Sequence, residues 1–348
     1  MKSLQDISWK VDEPTYREDK ALSYSTLSTY ERGGGFNSLP TLFDKKESPS
    51  LLLGSIVDCL ITDGEDAFNR QFMVADFPEC SDTIINMVKA LFINYKATHN
   101  SLLNIPSQVI IDMTEQIKYQ LNWKPDTRVK VIKEKGEQYY NLLYLAGDKT
   151  IISSEMYNNA FAMVNALKTA PASKFLFAPN DPFDTNVQRF YQLKFKAVID
   201  GVPYRCMMDE VIVLHDKKKI IPIDLKTSYK PEWDFYKSFL EWGYTWQAKL
   251  YTRVLKENLK DDDYFKDFEI MPYIFVVVNK ETLQPLCWEF KESVNCDDFV
   301  YNDNVVRSPL TIGKELYDYL KTEKKVPNDI LINKPNDIIT WINSKCKK

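Results

Sequence analysis

The sequence predicts an α+β fold in which a small central mixed sheet, beginning as an antiparallel meander, is flanked by helices. Three observations carry that prediction. Between Arg189 and Lys226, three runs rich in apolar and β-branched residues are separated by turn-forming residues. Upstream, from Ser23 to about Leu167, apolar residues recur at helical spacing. Downstream, one long helical run is followed by two further strand-length apolar runs.

The elements follow in chain order. Residues 1–20 are polar and read as a flexible N-terminal segment. Ser23 can cap a short helix through Tyr24, Ser25, Thr26 and Leu27, which Gly33-Gly34-Gly35 would break. Leu51 to Ile61 is an apolar helix between Pro49 and Asp63-Gly64. Residues 81–123 read as one or two helices, with Ile84, Ile85, Val88, Leu91 and Phe92 on one face. Arg128 to Tyr144 is charged and less periodic, so about 81–150 reads as a helical, peripheral insert. Ser153-Ser154-Glu155 opens a helix through Leu167, which Pro171 ends. The strands Arg189–Ile199, Tyr204–Leu214 and Ile220–Lys226 are joined by Asp200-Gly201, a two-residue hairpin turn, and by His215-Asp216-Lys217-Lys218. A long helix over Trp233–Leu255, strands over Pro272–Val278 and Gln284–Phe290, and a helical region from Asp297 to about Glu323 complete the domain. A single domain is thus expected over 21–325, with a tail over 326–348 that carries a short helix near Ile338–Ile342.

Composition narrows the class. A chain of 348 residues with 44% hydrophobic and 27% charged residues matches an ordinary globular protein, which excludes one dominated by disorder. The net charge of −4 means that a nucleic-acid partner must be met by local basic patches rather than by the global field. Six cysteines without a CxxC pair indicate neither a disulfide framework nor a zinc module. The polar start and the short apolar runs predict a cytoplasmic protein with no membrane partner.

The chemistry concentrates on the second hairpin. A loop centred on Asp216 and Lys217 sets a register in which Asp209 faces Asp224 across the strands. Opposed like charges repel, and a divalent cation between them reverses that sign. Strand alternation puts Asp224 and Lys226 on one face, so two carboxylates and an ammonium converge. That is the layout of a metal-dependent phosphodiester-cleaving site. The alternative is a surface hairpin with Asp and Lys in water. Against it stand Cys206, Met207, Met208, Val211 and Ile212 on one strand and Ile220, Ile221, Ile223 and Leu225 on the other.

Two helices add candidates. Asp58 lies within the apolar run LLLGSIVDCLI, four residues after Gly54, where an unpaired carboxylate would be costly unless it faces solvent at the helix edge. Gln247 and Tyr251 share a helix face at i, i+4 and suit a phosphate or a base edge. Lys194, Lys196, Lys217, Lys218, Lys219, Lys230, Lys249 and Arg253 could line a DNA path or serve as solvated faces. His99 and His215 have no partner at telling spacing. Gly33-Gly34-Gly35 lacks the lysine and Ser/Thr of a phosphate-binding loop, so no nucleotide is expected.

G-x3-D, D-x14-D-x-K and Q-x3-Y occur in that order, and together they resemble the PD-(D/E)XK nuclease superfamily, in its RecB-like and RecE-like (phage-type exodeoxyribonuclease VIII-like) exonuclease branch. The resemblance covers about residues 20–290. It includes Ser23-Tyr24-Ser25-Thr26-Leu27, Gly54–Asp58, Cys206–Glu210, Ile223-Asp224-Leu225-Lys226-Thr227-Ser228 and Gly243–Tyr251. It implies a restriction-endonuclease-like core and a metal-dependent DNA nuclease, an exonuclease that resects ends in recombination or replication. The alternatives are a structure-specific endonuclease or RNase on the same core and a non-catalytic nucleic-acid-binding scaffold. By the same resemblance, Asp209, Asp224 and the Leu225 carbonyl would hold Mg²⁺ or Mn²⁺, with Asp58 completing or flanking the shell. Lys226 would act on the attacking water or on transition-state charge. Gln247 and Tyr251, with Ser25 and Thr227, would position the strand. It further implies DNA ends as partner, a homo-oligomeric ring, a companion single-strand annealing protein, and a bacterial or phage-infected host cell. The cysteines lack the clustering of an iron–sulfur cluster. Two departures stand out: Asp58 takes a position where a histidine is common, and pairing through Asp200-Gly201 brings the amide of Gln192, not an acid, opposite Asp209.

Overall fold

The computed structural model describes residues 1–44, 48–76, 80–301 and 304–321. The expected tail over 326–348 lies outside them. By contacts the chain divides into two units, one of Met1–Gly54 with Met163–Lys348 and one of Ser55–Ala162.

In the first unit the turns set the sheet. Asp200 and Gly201 both adopt positive φ, 51° and 78°, the backbone whose twist suits a tight antiparallel hairpin. They join β1 (Val187–Ile199) to β2 (Val202–Leu214), paired from Ile199↔Val202 out to Val187↔Leu214. The four residues His215–Lys218 then turn the chain into β3 (Lys219–Ser228), paired with β2 from Leu214↔Lys219 to Glu210↔Ile223. This is the register expected from the loop. β3 runs parallel to β4 (Tyr273–Asn279), and β4 antiparallel to β5 (Leu286–Phe290). The order β1-β2-β3-β4-β5, with a two-residue strand Glu269–Ile270 beside the start of β3, is a mixed sheet.

A parallel β3–β4 pair needs a crossover, and helices supply it. The single helix expected over Trp233–Leu255 is two, α5 (Phe235–Trp242) and α6 (Tyr244–Leu259), after a short 3-10 turn. Gly243 breaks the run. It takes φ 66°, and a Cβ there would lie 2.3 Å from the Trp246 ring. α6 packs Ala248, Leu250, Val254 and Leu255 onto Phe195, Cys206, Val211, Val213 and Ile220 of the sheet, in one buried cluster. Each such side chain contributes about 1.5–3 kcal/mol on burial.

Ser23 caps α1 (Tyr24–Arg32), its side chain accepting from the Thr26 amide. The first twenty residues, expected to be loose, are held along the sheet. Leu4 is buried, the Trp9 amide donates to the Lys194 carbonyl at 2.7 Å, and the Arg205 guanidinium donates to the carbonyls of Tyr16 and Ala21. The helical region expected from Asp297 begins only at Pro309, as α7 (Pro309–Lys321), after two short paired strands, Phe299–Tyr301 and Asn304–Val306. The apolar, β-branched residues of those strands outweigh the helical spacing.

α2 (Pro49–Thr62) runs from the first unit into the second. The second unit is mainly helical. Its largest cluster joins α3 (Asp82–Tyr95) to α4 (Pro125–Ala146), with the helix Ser107–Gln116 beside them. The stretch read as charged and aperiodic is thus a helix of 22 residues. Val129, Ile132, Gly136, Tyr139 and Tyr140 are buried, with Arg128 beside them, and the other charges occupy the rest. Gly136 permits the approach, since a Cβ would fall 2.6 Å from Val88 and 2.8 Å from Leu102. No helix among the described residues is long and apolar enough to cross a membrane.

Candidate active site

The pairing of β2 is interrupted on both sides at one residue. Between Tyr191↔Glu210 and Leu193↔Met208 the ladder skips Gln192 and Asp209, and Gln192 takes φ 52°. On the other side the ladder ends at Glu210↔Ile223, and the Leu225 amide donates instead to the Asp209 carboxylate at 3.0 Å. Gln192 therefore stands at the register position expected for it without forming a strand pair there. The kink frees Asp209 to serve β3 with its side chain.

Asp224 is next along the same register and almost wholly buried, at 1% exposure. Gln247 of α6 donates its amide to one Asp224 oxygen, and the Lys226 ammonium lies 2.5 Å from the other. Lys226 also donates to the Gln247 side-chain oxygen at 3.2 Å and sits 4.5 Å over the Tyr244 ring. The amide thus bridges the carboxylate and the ammonium, using both of its ends. Strand alternation brings Asp224 and Lys226 together, but the resemblance assigns Gln247 to the nucleic-acid strand, so the bridge through its amide is a finding of the structure.

Charge at Lys226 is decided by competition. Burial favours the neutral amine, but the carboxylate of Asp224, then Tyr244 and Asp209, outweigh it and hold the ammonium above its ordinary range. Burial pushes the hydroxyls of Tyr251 and Tyr273 well above theirs, and the two carboxylates add to that. The Tyr273 hydroxyl is buried with no hydrogen-bond partner.

A divalent cation fits this donor set in one respect and is under-supplied in another. Asp224 Oδ2 is buried, and although the ammonium is close it forms no hydrogen bond of acceptable geometry. A buried carboxylate oxygen in that state is a ready ligand. Yet among the described residues no group of three or more His, Cys, Asp or Glu side chains could hold an ion. The set is two carboxylates, Asp209 and Asp224, on neighbouring strands. It suits Mg²⁺, which keeps several waters and commonly takes one or two carboxylates.

The other predicted residues are placed as follows. Tyr251 is buried on α6, its ring 6.4 Å from that of Tyr273. Thr227 continues β3, its hydroxyl 3.4 Å from where a Cβ on Gly54 would stand. Ser25 is exposed on α1, its hydroxyl 2.9 Å from that of Ser23. Asp58 is half-buried on α2 and belongs to the Ser55–Ala162 unit, whereas the hairpin belongs to the other. Two of the basic positions are engaged within the protein. The Lys249 side chain is buried and its ammonium donates to the Asp297 carbonyl at 2.6 Å. It lies two residues after Gln247 and so projects from the opposite side of the helix. Arg253 is paired with Glu257 one turn on, at 2.8 Å. His215 is structural, its ring nitrogens 3.0 Å from the Tyr264 hydroxyl and 2.9 Å from the Gln188 side-chain oxygen.

Sequence reasoning missed two residues. Tyr244 supplies the ring beneath Lys226, and its place directly after Gly243 could have revealed it. Glu210 is buried at 1% exposure with neither oxygen hydrogen-bonded. It pairs with Ile223, so it lies on the face away from Asp224. Burial drives its carboxyl up to about 8, against the opposing pull of Arg189 and Tyr191.

No protein-family model matches the chain, and no curated protein matches it significantly. Among solved structures, a Eubacterium rectale protein provisionally described as an exonuclease superposes with a TM-score of 0.38 and 11% identity. The superposition covers 90% of this chain and 84% of that one. A likeness of that degree bears on neither family nor chemistry.

Proposed function

We propose that the chain is a metal-dependent deoxyribonuclease, an exonuclease acting on DNA ends, centred on Asp209, Asp224 and Lys226. The observation that carries this reading is the buried Asp224 oxygen without a hydrogen bond, in register with Asp209 and bridged to Lys226 through Gln247. A purely structural hairpin has no need of two facing carboxylates and an amide that holds their cation in place. The sequence resemblance supports the nuclease class and the exonuclease branch.

Asp209, Asp224 and the Leu225 carbonyl would hold Mg²⁺ or Mn²⁺. The bound ion would lower the pKa of its water and neutralise the non-bridging phosphate oxygens. Lys226, kept charged by the carboxylates, is suited to orienting the attacking water and to stabilising the negative charge that grows on the phosphoryl oxygens. Gln247 fixes the ammonium in that position, and Tyr251, one turn on along α6, would position the strand, as the resemblance implies.

One observation favours a second reading, a non-catalytic nucleic-acid-binding scaffold. Lys226 already compensates Asp224, and no third acidic or histidine side chain completes the group among the described residues. End-labelled linear, nicked and covalently closed DNA incubated with Mg²⁺, Mn²⁺ or EDTA separates the two. Metal-dependent loss of linear DNA alone, absent in Asp224→Ala, is the expected result and also gives the polarity. Cutting of closed circles would replace the exonuclease by an endonuclease on the same core. Binding without cleavage in every metal would leave the scaffold.

A further inference from the structure

The helical unit contains a groove that the hairpin chemistry does not use. It has a volume of about 770 Å³ and is lined by Ser81, Thr83, Lys118, Tyr119, Trp123 and Lys135 among others. From this groove we infer a binding site for single-stranded nucleic acid, with Lys118 and Lys135 on phosphates and Tyr119 and Trp123 on bases. The inference deepens the nuclease reading and rests on it for choosing a nucleic acid over other polyanions.

Charge is the first support. The chain is acidic overall, at −4, yet residues 117–135 hold six basic side chains (Lys118, Lys124, Arg128, Lys130, Lys133, Lys135) against two acids, Asp126 and Glu134. Lys133 is committed to the Leu103 and Ile105 carbonyls, and Lys130 lies 3.8 Å from Glu134. Lys118, Lys124 and Lys135 are exposed, and no salt bridge engages them among the described residues. Lys124 adjoins Trp123, so the positive stripe continues in sequence past the groove, which suits a run of phosphates better than one.

The second support is a buried cation. Arg128 is 3% exposed; its Nη2 reaches the exposed Glu115 at 3.4 Å, while Nε and Nη1 have no partner. Arg128, Val131 and Lys135 are at i, i+3 and i+7 of α4, hence on one helix face, and the last two line the groove. A weakly compensated guanidinium in low dielectric keeps a positive potential along that face. Ser81 caps α3 and Thr83 belongs to its first turn, so the positive end of that helix lines the groove as well; Asp82 is the one acid there.

Shape is the third. Lys118 and Gln120 take φ 56° and 46°, a conformation uncommon without glycine. The Tyr119 amide donates to the Thr114 carbonyl at 2.8 Å and the Trp123 amide to the Gln120 carbonyl at 2.9 Å, which fixes the loop. Trp123 is thereby left 36% exposed at the groove. The exposed Trp123 ring and the half-buried Tyr119 ring, beside lysines that no salt bridge engages among the described residues, form the surface on which unpaired bases stack.

The test is fluorescence anisotropy of a labelled oligothymidylate with the full-length protein in EDTA, over a range of salt. Lys118→Gln with Lys135→Gln is expected to weaken binding roughly ten-fold at low salt and to lower the slope of log affinity against log salt by about 1.4. Trp123→Ala is expected to weaken it about five-fold or more. The Lys118→Arg, Lys135→Arg protein, with an unchanged melting temperature, should keep both affinity and slope. Unchanged binding in the glutamine and alanine variants would overturn the inference, as would displacement of the strand by thymidine monophosphate at matching concentration. Wild-type cleavage of thymidine 5′-(p-nitrophenyl phosphate) with Mg²⁺ or Mn²⁺ reports on the hairpin alone. Salt-sensitive strand binding without that cleavage would sustain the groove and remove the nuclease.

Discussion

The two faces of the β2–β3 hairpin each bury a carboxylate to 1% exposure, and they treat it in opposite ways. Asp224 meets an ammonium at 2.5 Å and an amide that bridges the two. Glu210, one register step away, has no hydrogen bond of good geometry to either oxygen, with only the Tyr191 hydroxyl acting on it from nearby. The cation that acts on it, Arg189, is spent elsewhere, donating to the Phe175 and Leu176 carbonyls. Burial therefore protonates Glu210 near neutral pH, to about 8, while Lys226 stays charged beside Asp224. Depth alone does not mark a functional carboxylate. What marks Asp224 is a charged partner that is itself held in place.

Removing Asp224 should have the largest effect. In Asp224→Ala the half-buried Lys226 loses its counter-charge, which typically costs about 3 kcal/mol or more. Cleavage should fall by roughly 10³ or beyond. Urea unfolding together with the end-label assay reads both. A variant that unfolds like wild type would mean that the ammonium has other compensation.

Lys226→Met is milder for folding and more informative about metal. It leaves Asp224 with Gln247 only, so cleavage should fall about 10²-fold. Mg²⁺ should raise the melting temperature of this variant more than that of wild type, because the ion no longer competes with an ammonium for Asp224. Equal, null responses to Mg²⁺ in both proteins would favour the scaffold.

Glu210 sharpens the contrast through pH. The side chain titrates near 4.5 when unfolded and at about 8 when folded. Below 4.5 both states are protonated. Between the two values the folded state holds a proton that the unfolded state has released, so stability falls as pH rises, by at most roughly 1.4 kcal/mol per unit. Wild type should thus lose on the order of 3 kcal/mol between pH 5 and pH 8 relative to Glu210→Gln. Parallel pH profiles would show that water or relaxation satisfies the carboxylate.

The parts of this molecule that were legible in the sequence are those fixed by local rules. Asp200-Gly201 and the His215–Lys218 loop fix two registers, and register places Asp209 against Asp224. Spacing on one helix puts Gln247 and Tyr251 on a common face, but that this face meets Lys226 emerges only in the structure. The missing parts depend on contacts that spacing does not encode. Gly243 looked like one residue in a long apolar helix until the Trp246 ring took the space a Cβ would need. The face of α4 reads as charged because lysines and glutamates surround a narrow buried stripe. Glu210 escaped notice since a strand acid is normally assigned to water, and only the covering of both sheet faces overturns that.

Lys249 gives the smallest expected effect and the cleanest separation of a buried cation from a working one. It sits on α6 two residues from Gln247, yet its ammonium points away, 4.6 Å over the Phe299 ring and bonded to the Asp297 carbonyl. Burial pulls its pKa below the ordinary lysine range, opposite to Lys226 on the same helix–sheet layer. Lys249→Met keeps the volume and removes one hydrogen bond from a carbonyl on an exposed residue, a loss of about 1 kcal/mol or less. The salt dependence of DNA binding should not change. A fall of 0.7 to 0.9 in that slope, roughly one phosphate contact, would show that the ammonium leaves its carbonyl to meet DNA. The two lysines of α6 and β3 would then differ in degree of exposure rather than in role.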